Sequence, residues 1–197
     1  MLYYDVLADI CSQLGDPDMD LYQERAKDHF ARAISGFIEA GQFTPDDIPG
    51  YVKLKTNLGF TAGVYDAKGL KLWKILAIYP NPSVAMDVTV TVIGPSELSM
   101  MGMNTDLRPQ NSDVFLYRVG SSIYGLTSSD SPVFTLASDT LHMQYIEDID
   151  ASVWDDTATT GTDFQSTTAT YYFSFAFTRR CISQAVQTLK QEDGGRA

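Results

Sequence analysis

The sequence is short of the residues on which most site chemistry depends. Its 197 residues include two cysteines and two histidines. Cys11 and Cys181 lie near opposite ends of the chain, and neither has a histidine at metal-ligand spacing. A structural zinc site needs clustered Cys and His, so no metal is expected. Each cysteine falls on the apolar face of an expected helix, a common place for a buried free thiol. Their spacing decides neither for nor against a disulfide. His29 sits in a charged helical stretch, KDHFAR, and reads as solvated. His142 alternates with Leu141 and Met143, which points it away from the core of an expected strand. Long apolar runs are also missing, and the stretch 74–80 is far too short to span a bilayer. The first eleven residues carry Asp5 and Asp9 and no basic start, unlike a signal peptide. No Gly-x-Ser-x-Gly elbow, Walker loop, Gly-x-Gly-x-x-Gly or His-Glu-x-x-His is present. The sequence therefore reads as that of a protein without an enzymatic role and without a cofactor.

Positive charge is scarce as well. Fourteen Lys and Arg face 25 Asp and Glu, a net charge of −11. A conventional nucleic-acid binder carries a basic footprint, so that class is excluded. A protein that nucleic acid slides past is not. The deficit is local: residues 119–178 hold eight acids, 20 Ser or Thr, and no Lys or Arg. Such a block suits a solvated face or long loops, or a surface that repels phosphate. Asp148, Asp150, Asp155 and Asp156 gather in the stretch 147–165 but lack the spacing of an EF-hand loop.

Two periodicities are clear. Residues 2–14 and 21–40 recur at helical spacing, the second with a stripe of Tyr22, Ala26, Phe30, Ala33, Ile34, Phe37 and Ile38. Between them GDPDMD forms a turn, with Asp18 or Asp20 suited to cap the second helix. Thr44-Pro45-Asp46-Asp47 starts a helix of one turn. From Tyr51 the period becomes two. Val52, Leu54, Thr56, Leu58 and Phe60 predict one strand, 70–78 a second and Met86–Val92 a third. Further strands are expected at 114–119, 122–126, 133–136 and 141–146. Gly94–Asp113 and Glu147–Gln165 read as long arms. Residues 171–177 suit a strand by composition, yet an apolar stripe from Ala169 to Leu189 favours a helix over 166–191.

These elements predict an α+β chain. Residues 1–50 and 166–191 form a small helical bundle. Residues 51–165 form an inserted antiparallel β-sandwich or barrel with long arms, and 192–197 a flexible tail. Met100, Met101 and Met103 are adaptable contacts for a neighbouring subunit. Trp154, Arg179 and Arg180 are further contact residues. The four aspartates at 148, 150, 155 and 156 are expected to face a channel or solvent.

The opening VLADICSQLGDPDMDLYQERAKDHFARAISGFIEAGQFTPDDI resembles the start of many tailed-phage neck proteins: a helix, an LGD turn and a second helix ending near a polar G-x-F. DVFLYRVGSSIYGL, SPVFTL and TLHMQYIEDI are similar to a second element of such proteins, and TRRCISQAVQTLKQ to their return helix. The family is that of head-to-tail connector, or adaptor, proteins of tailed bacteriophages, closest in flavour to neck ring proteins of crAss-like phages. YYFSFAF, before the return helix, is less polar than the family pattern. The resemblance implies a homo-oligomeric, usually dodecameric, ring below the portal in the virion neck. Such a ring is made in the host cytoplasm, extends the genome channel and docks the tail. DNA passes through it without specific binding, and no organic cofactor or membrane is involved. Competing readings are another capsid- or tail-associated virion protein, or a glycan- or protein-binding β module that displays Trp73 or Trp154.

Overall fold

The computed structural model describes residues 1–82, 89–103, 109, 113–126, 136–157, 161–165 and 172–194. The chain is α+β and divides into two compact units, Met1–Tyr51 with Ile149–Ala197, and Val52–Asp148. The expected boundary at 165 is corrected: residues 149–165 belong with the helices. No helix among the described residues is long and apolar enough to cross a membrane.

The helical unit is built on α1 (Tyr3–Gln13), α2 (Gln23–Glu39) and the C-terminal helix (Phe175–Gly194). α1 buries Val6, Leu7, Ile10 and Cys11, while α2 buries Ala26, Phe30, Ala33, Ile34 and Ile38. Neither Asp18 nor Asp20 caps α2. The helix has no side-chain cap; Asp16 instead ties the turn before it, its carboxylate accepting the backbone N–H groups of Asp20, Leu21 and Tyr22 at 3.2, 2.9 and 2.9 Å. Gly15, at φ +83°, makes the turn that brings Asp16 there.

The C-terminal helix starts at Phe175, which corrects the expected start at 166. Tyr172, Phe173 and Ser174 precede it in non-helical backbone. Ser174 Oγ accepts the N–H of Phe177, an N-cap bond, and donates to Asp47 Oδ1 at 2.8 Å. The helix runs on through Gly194, so 192–194 are not a tail. Glu192 and Asp193 accept bonds from Arg25 of α2, and Tyr22 Oη donates to Asp193 at 2.7 Å.

The stretch expected to be an arm instead completes this core. Trp154, Phe164 and Phe173 are buried, and their rings meet edge to face at centroid distances of 5.1–6.0 Å. Tyr3 packs its ring against Trp154 and Phe164, at 5.2 and 5.4 Å. Phe30 stacks on Phe164 at 6.0 Å. Trp154 Nε1 donates to the Tyr51 hydroxyl, which meets its one polar need inside the core. Backbone bonds seal the joint: Tyr3 N–H donates to Thr162 O, Phe164 N–H to Met1 O, and Phe173 N–H to Phe164 O.

The second unit holds two sheets. β1 (Val52–Phe60), β7 (Leu136–Glu147) and β3 (Leu72–Pro80) form one, in the order β1-β7-β3. β2 (Val64–Asp66), β6 (Ser122–Leu126), β5 (Val114–Val119) and β4 (Val90–Val92) form the other, in the order β2-β6-β5-β4. β4 runs parallel to β5, so this sheet is mixed rather than antiparallel. Among the described residues neither sheet closes on itself, so no closed barrel forms. Both contribute to one core, including Leu58, Phe60, Ile78, Met143 and Tyr145 from the first sheet and Val114, Leu116 and Ile123 from the second.

A bulge in β1 changes which residues reach that core. Lys55 faces Met143 and Leu58 faces Leu141, so β1 spends one more residue than its partner. Asn57 sits there at φ +62°, a conformation Asn tolerates. An extra residue exchanges the faces of a strand. Leu54, expected inside with Leu58 and Phe60, is therefore 56% exposed. β3 has a similar shift between Ile75 and Ala77. The strand expected at 141–146 is longer, starting at Leu136, and residues 133–135 and 86–88 lie outside the described residues.

Replacing Trp154 by Ala empties the centre of the helical unit. Loss of about 3–5 kcal/mol of stability is expected, as for buried aromatics generally. Urea unfolding of the variant against wild type measures it, and a loss below about 1 kcal/mol contradicts the placement of Trp154.

Candidate interaction surfaces

The residues expected at contacts fall into three groups. Trp154 is corrected: at 6% exposed it is core and displays no platform. Met101 is corrected as well, since the arm that was to carry it folds as α3 (Pro95–Met103) and turns Met101 inward at 6% exposure. Glu97 accepts the Gly94 N–H at 2.7 Å and starts that helix. Met100 is 52% exposed and available for contact, while the Met103 side chain lies outside the described part.

Arg179 and Arg180 are partly exposed but already engaged within the unit. Arg179 pairs with Asp9 at 2.7 Å, tying the C-terminal helix to α1. Arg180 pairs with Asp47 at 3.1 Å and donates to Gln42 O. Its guanidinium also lies over the rings of Phe37 and Phe177.

The four aspartates are not one site. Asp148 is exposed. Asp150 caps the 3-10 turn Ala151–Val153 through the Ser152 N–H. Asp155 accepts the Thr157 N–H, and its own N–H donates to Thr162 Oγ1. Asp156 pairs with Lys27 at 2.6 Å. Local turn bonds and an ion pair thus account for three of them. Gly161 closes the same turn, where a Cβ would sit 2.5 Å from Thr157 O.

Grooves among the described residues mark the surface of the helical unit. One, of about 310 Å³, runs between α2 and the C-terminal helix past His29, Arg32, Phe37 and Glu192. The buried His29 brings Nε2 to 3.3 Å from Glu192 Oε2. A shallower one lies between α1 and the C-terminal helix, lined by Gln13, Ser183, Gln187, Lys190 and Gln191. The third, of about 440 Å³, is lined by Tyr3, Glu24, Lys27, Asp28, Ser152, Trp154 and Asp156. Sequence reasoning missed it. Its signal was the set Glu24, Lys27 and Asp28, which share one polar side of α2 at i, i+3 and i+4.

Charge is most organised around Asp47. Burial pushes its carboxyl upward, but bonds from the Thr44 backbone, Ser174 Oγ, Thr44 Oγ1 and Arg180 outweigh that and hold it below the usual carboxylate range. The thiols show the opposite limit. Cys11 and Cys181 are free, and burial pushes Cys181 up to about 12 and Cys11 upward too. Among the described residues no group of three His, Cys, Asp or Glu is close enough to hold a metal ion. His142 lies beside Tyr79 on β3, at a ring distance of 5.8 Å. No protein-family model matches the chain, and no curated protein matches it.

Two outcomes follow from these groups. A depressed folded pKa contributes stability above the unfolded carboxylate value, which is lost as pH falls through the folded one. The difference in melting temperature between wild type and Asp47→Asn should be full near neutrality and shrink below about pH 4. A difference independent of pH contradicts the bonding of Asp47. Neither thiol should react with a disulfide reagent at neutral pH until the chain is denatured; rapid labelling of the native chain contradicts their burial.

Proposed function

We propose that this chain is a structural subunit of a tailed-phage neck: one copy of a closed homo-oligomeric ring below the portal. The ring lengthens the channel through which DNA passes and offers a docking surface to the tail. The resemblance of the opening and return-helix sequences suggests the reading. The observation that carries it furthest is the two-unit build. A ring subunit needs two different, rigid side faces, because head-to-tail interfaces are heterologous. A helical unit with its own aromatic core and a β unit with a separate core suit that demand.

On this reading the two sheets form a sandwich around their shared core, and the ring is dodecameric, touching the portal on one side and the next neck or tail protein on the other. The work is mechanical, with no enzymatic step and no cofactor. Net negative charge suits a conduit, since neutralised phosphates would hold the duplex in place. The glycan-module alternative is weakened by the burial of Trp154 and the half-burial of Trp73.

Electron microscopy of phage particles that carry the chain, with density at the portal vertex fitted by residue, tests the proposal. A ring of this chain between portal and tail is expected. Its location elsewhere in the particle supports a different virion role, and its absence from the particle overturns the virion reading.

A further inference from the structure

The end of the C-terminal helix is held by means unlike the rest of it. Leu189 is its last buried residue, so residues 190–194 have no apolar anchor. Local propensity opposes a helix there too. Glu192 and Asp193 stand at the negative end of the helix dipole, no base stands in the last turn, and Gly194 is a poor helix former. From sequence, 192–194 read as part of a flexible tail. What holds them is one side of α2 together with its N-cap residue: Tyr22, Arg25 and His29 follow at i, i+3 and i+7. Arg25 is forked, with Nη1 at 3.0 Å from Asp193 Oδ1 and Nη2 at 3.1 Å from Glu192 Oε2. Its guanidinium lies over the Tyr22 ring, and Tyr22 Oη donates to Asp193 Oδ2 at 2.7 Å. His29, at 7% exposure, places Nε2 3.3 Å from Glu192 Oε2, and both line the groove between the two helices.

The last turn is therefore helical by fastening rather than by propensity or burial, and the fastening is charge. Bonds of this strength need ionised carboxylates. Hydrogen bonding to Arg25, above all, holds the Glu192 carboxyl below its usual range. A carboxyl so lowered favours the fastened turn above its unfolded value, and that preference is lost as pH falls through the folded one. The charged and titratable groups around the two acids are Tyr22, Arg25 and His29 from the α2 side, Arg32 in the same groove, and Lys190 on the helix itself. From α1, Gln13 lies beside Lys190 and Gln191. A protonated His29 gives Glu192 a second partner but does not reach both acids as the Arg25 fork does. We propose that residues 190–194 are a strap: fastened to α2 while Glu192 and Asp193 are ionised, and released as a turn, with the rest of the helix in place, when they take up protons. Release takes Glu192 from beside His29 and opens one wall of the groove of about 310 Å³. The strap goes beyond the ring reading and does not rest on it.

Cα chemical shifts of the full chain, read by NMR, test it. In wild type at neutral pH the shifts of 190–194 should be helical. Arg25→Gln removes the fork and leaves both acids charged. At the same pH it should move those shifts at least halfway to coil values while 178–189 keep theirs. In wild type the same move should come as pH falls below about 4, through the carboxylate range. The wild-type titration decides the matter should Arg25→Gln fail to fold. A last turn that stays helical in Arg25→Gln, or throughout the wild-type titration, overturns the strap. So does unwinding of 178–189 in step with it, which would make the turn an ordinary part of the helix. Coil shifts for 190–194 in wild type at neutral pH overturn it as well, since nothing would then be fastened.

Discussion

The structure depends on a joint between three segments that are far apart in sequence. Tyr3 of the first helix, Phe30 of the second and the aromatics of the return segment, Trp154, Phe164 and Phe173, pack ring to ring. Large rings bury much apolar area, and edge-to-face pairs add to it. Without the return segment α1 and α2 would leave the tops of Tyr3 and Phe30 bare. With it, the chain that leaves for the β unit at Val52 and comes back at Ile149 is anchored on both sides of the excursion. Ser174 and Asp47 extend the joint by linking the cap of the C-terminal helix to the one-turn helix that precedes β1.

Charge follows from this arrangement. The acids of 147–165 looked like a free acidic surface, yet Asp150, Asp155 and Asp156 are occupied in folding the return segment and fastening it to Lys27. Two arginines of the C-terminal helix likewise pair within the unit, Arg179 with Asp9 and Arg180 with Asp47. Among the described residues, surface grooves carry further charge, such as Glu24, Lys27, Asp28 and Asp156 around Tyr3, and Lys190 among Gln13, Ser183, Gln187 and Gln191.

Local periodicity made much of the fold legible. The stripe from Ala26 to Ile38 lies buried in α2 because a 3.6-residue period admits one apolar face. The strands at 114–119 and 122–126, with Gly120 at φ +59° in their turn, were equally readable. Three features were not. The Asn57 bulge sends Leu54 outward, and strict alternation contains no mark of an inserted residue. Asp16 gathers the N–H groups of Asp20, Leu21 and Tyr22 in the turn before α2, up to six residues away and beyond the reach of a capping-box rule. Trp154 and Phe164 stand amid Asp, Thr and Gly, so a window average calls the stretch loop, although two isolated aromatics in a polar run were the available hint. For the same reason the site residues proposed from type alone were mostly those the fold had already used.

The central claim is that Thr162, Phe164 and Phe173 belong to the cooperative core of the helical unit. Amide hydrogen exchange followed by NMR tests it most directly, through the N–H groups of Tyr3, Phe164 and Phe173, each bonded across the joint. These amides should exchange with the same opening free energy as the buried turns around Ile34 and Ile182, as one unfolding unit. Fast exchange of Phe164 and Phe173 while the helices stay protected would show a loop resting on a finished bundle, and would contradict the account.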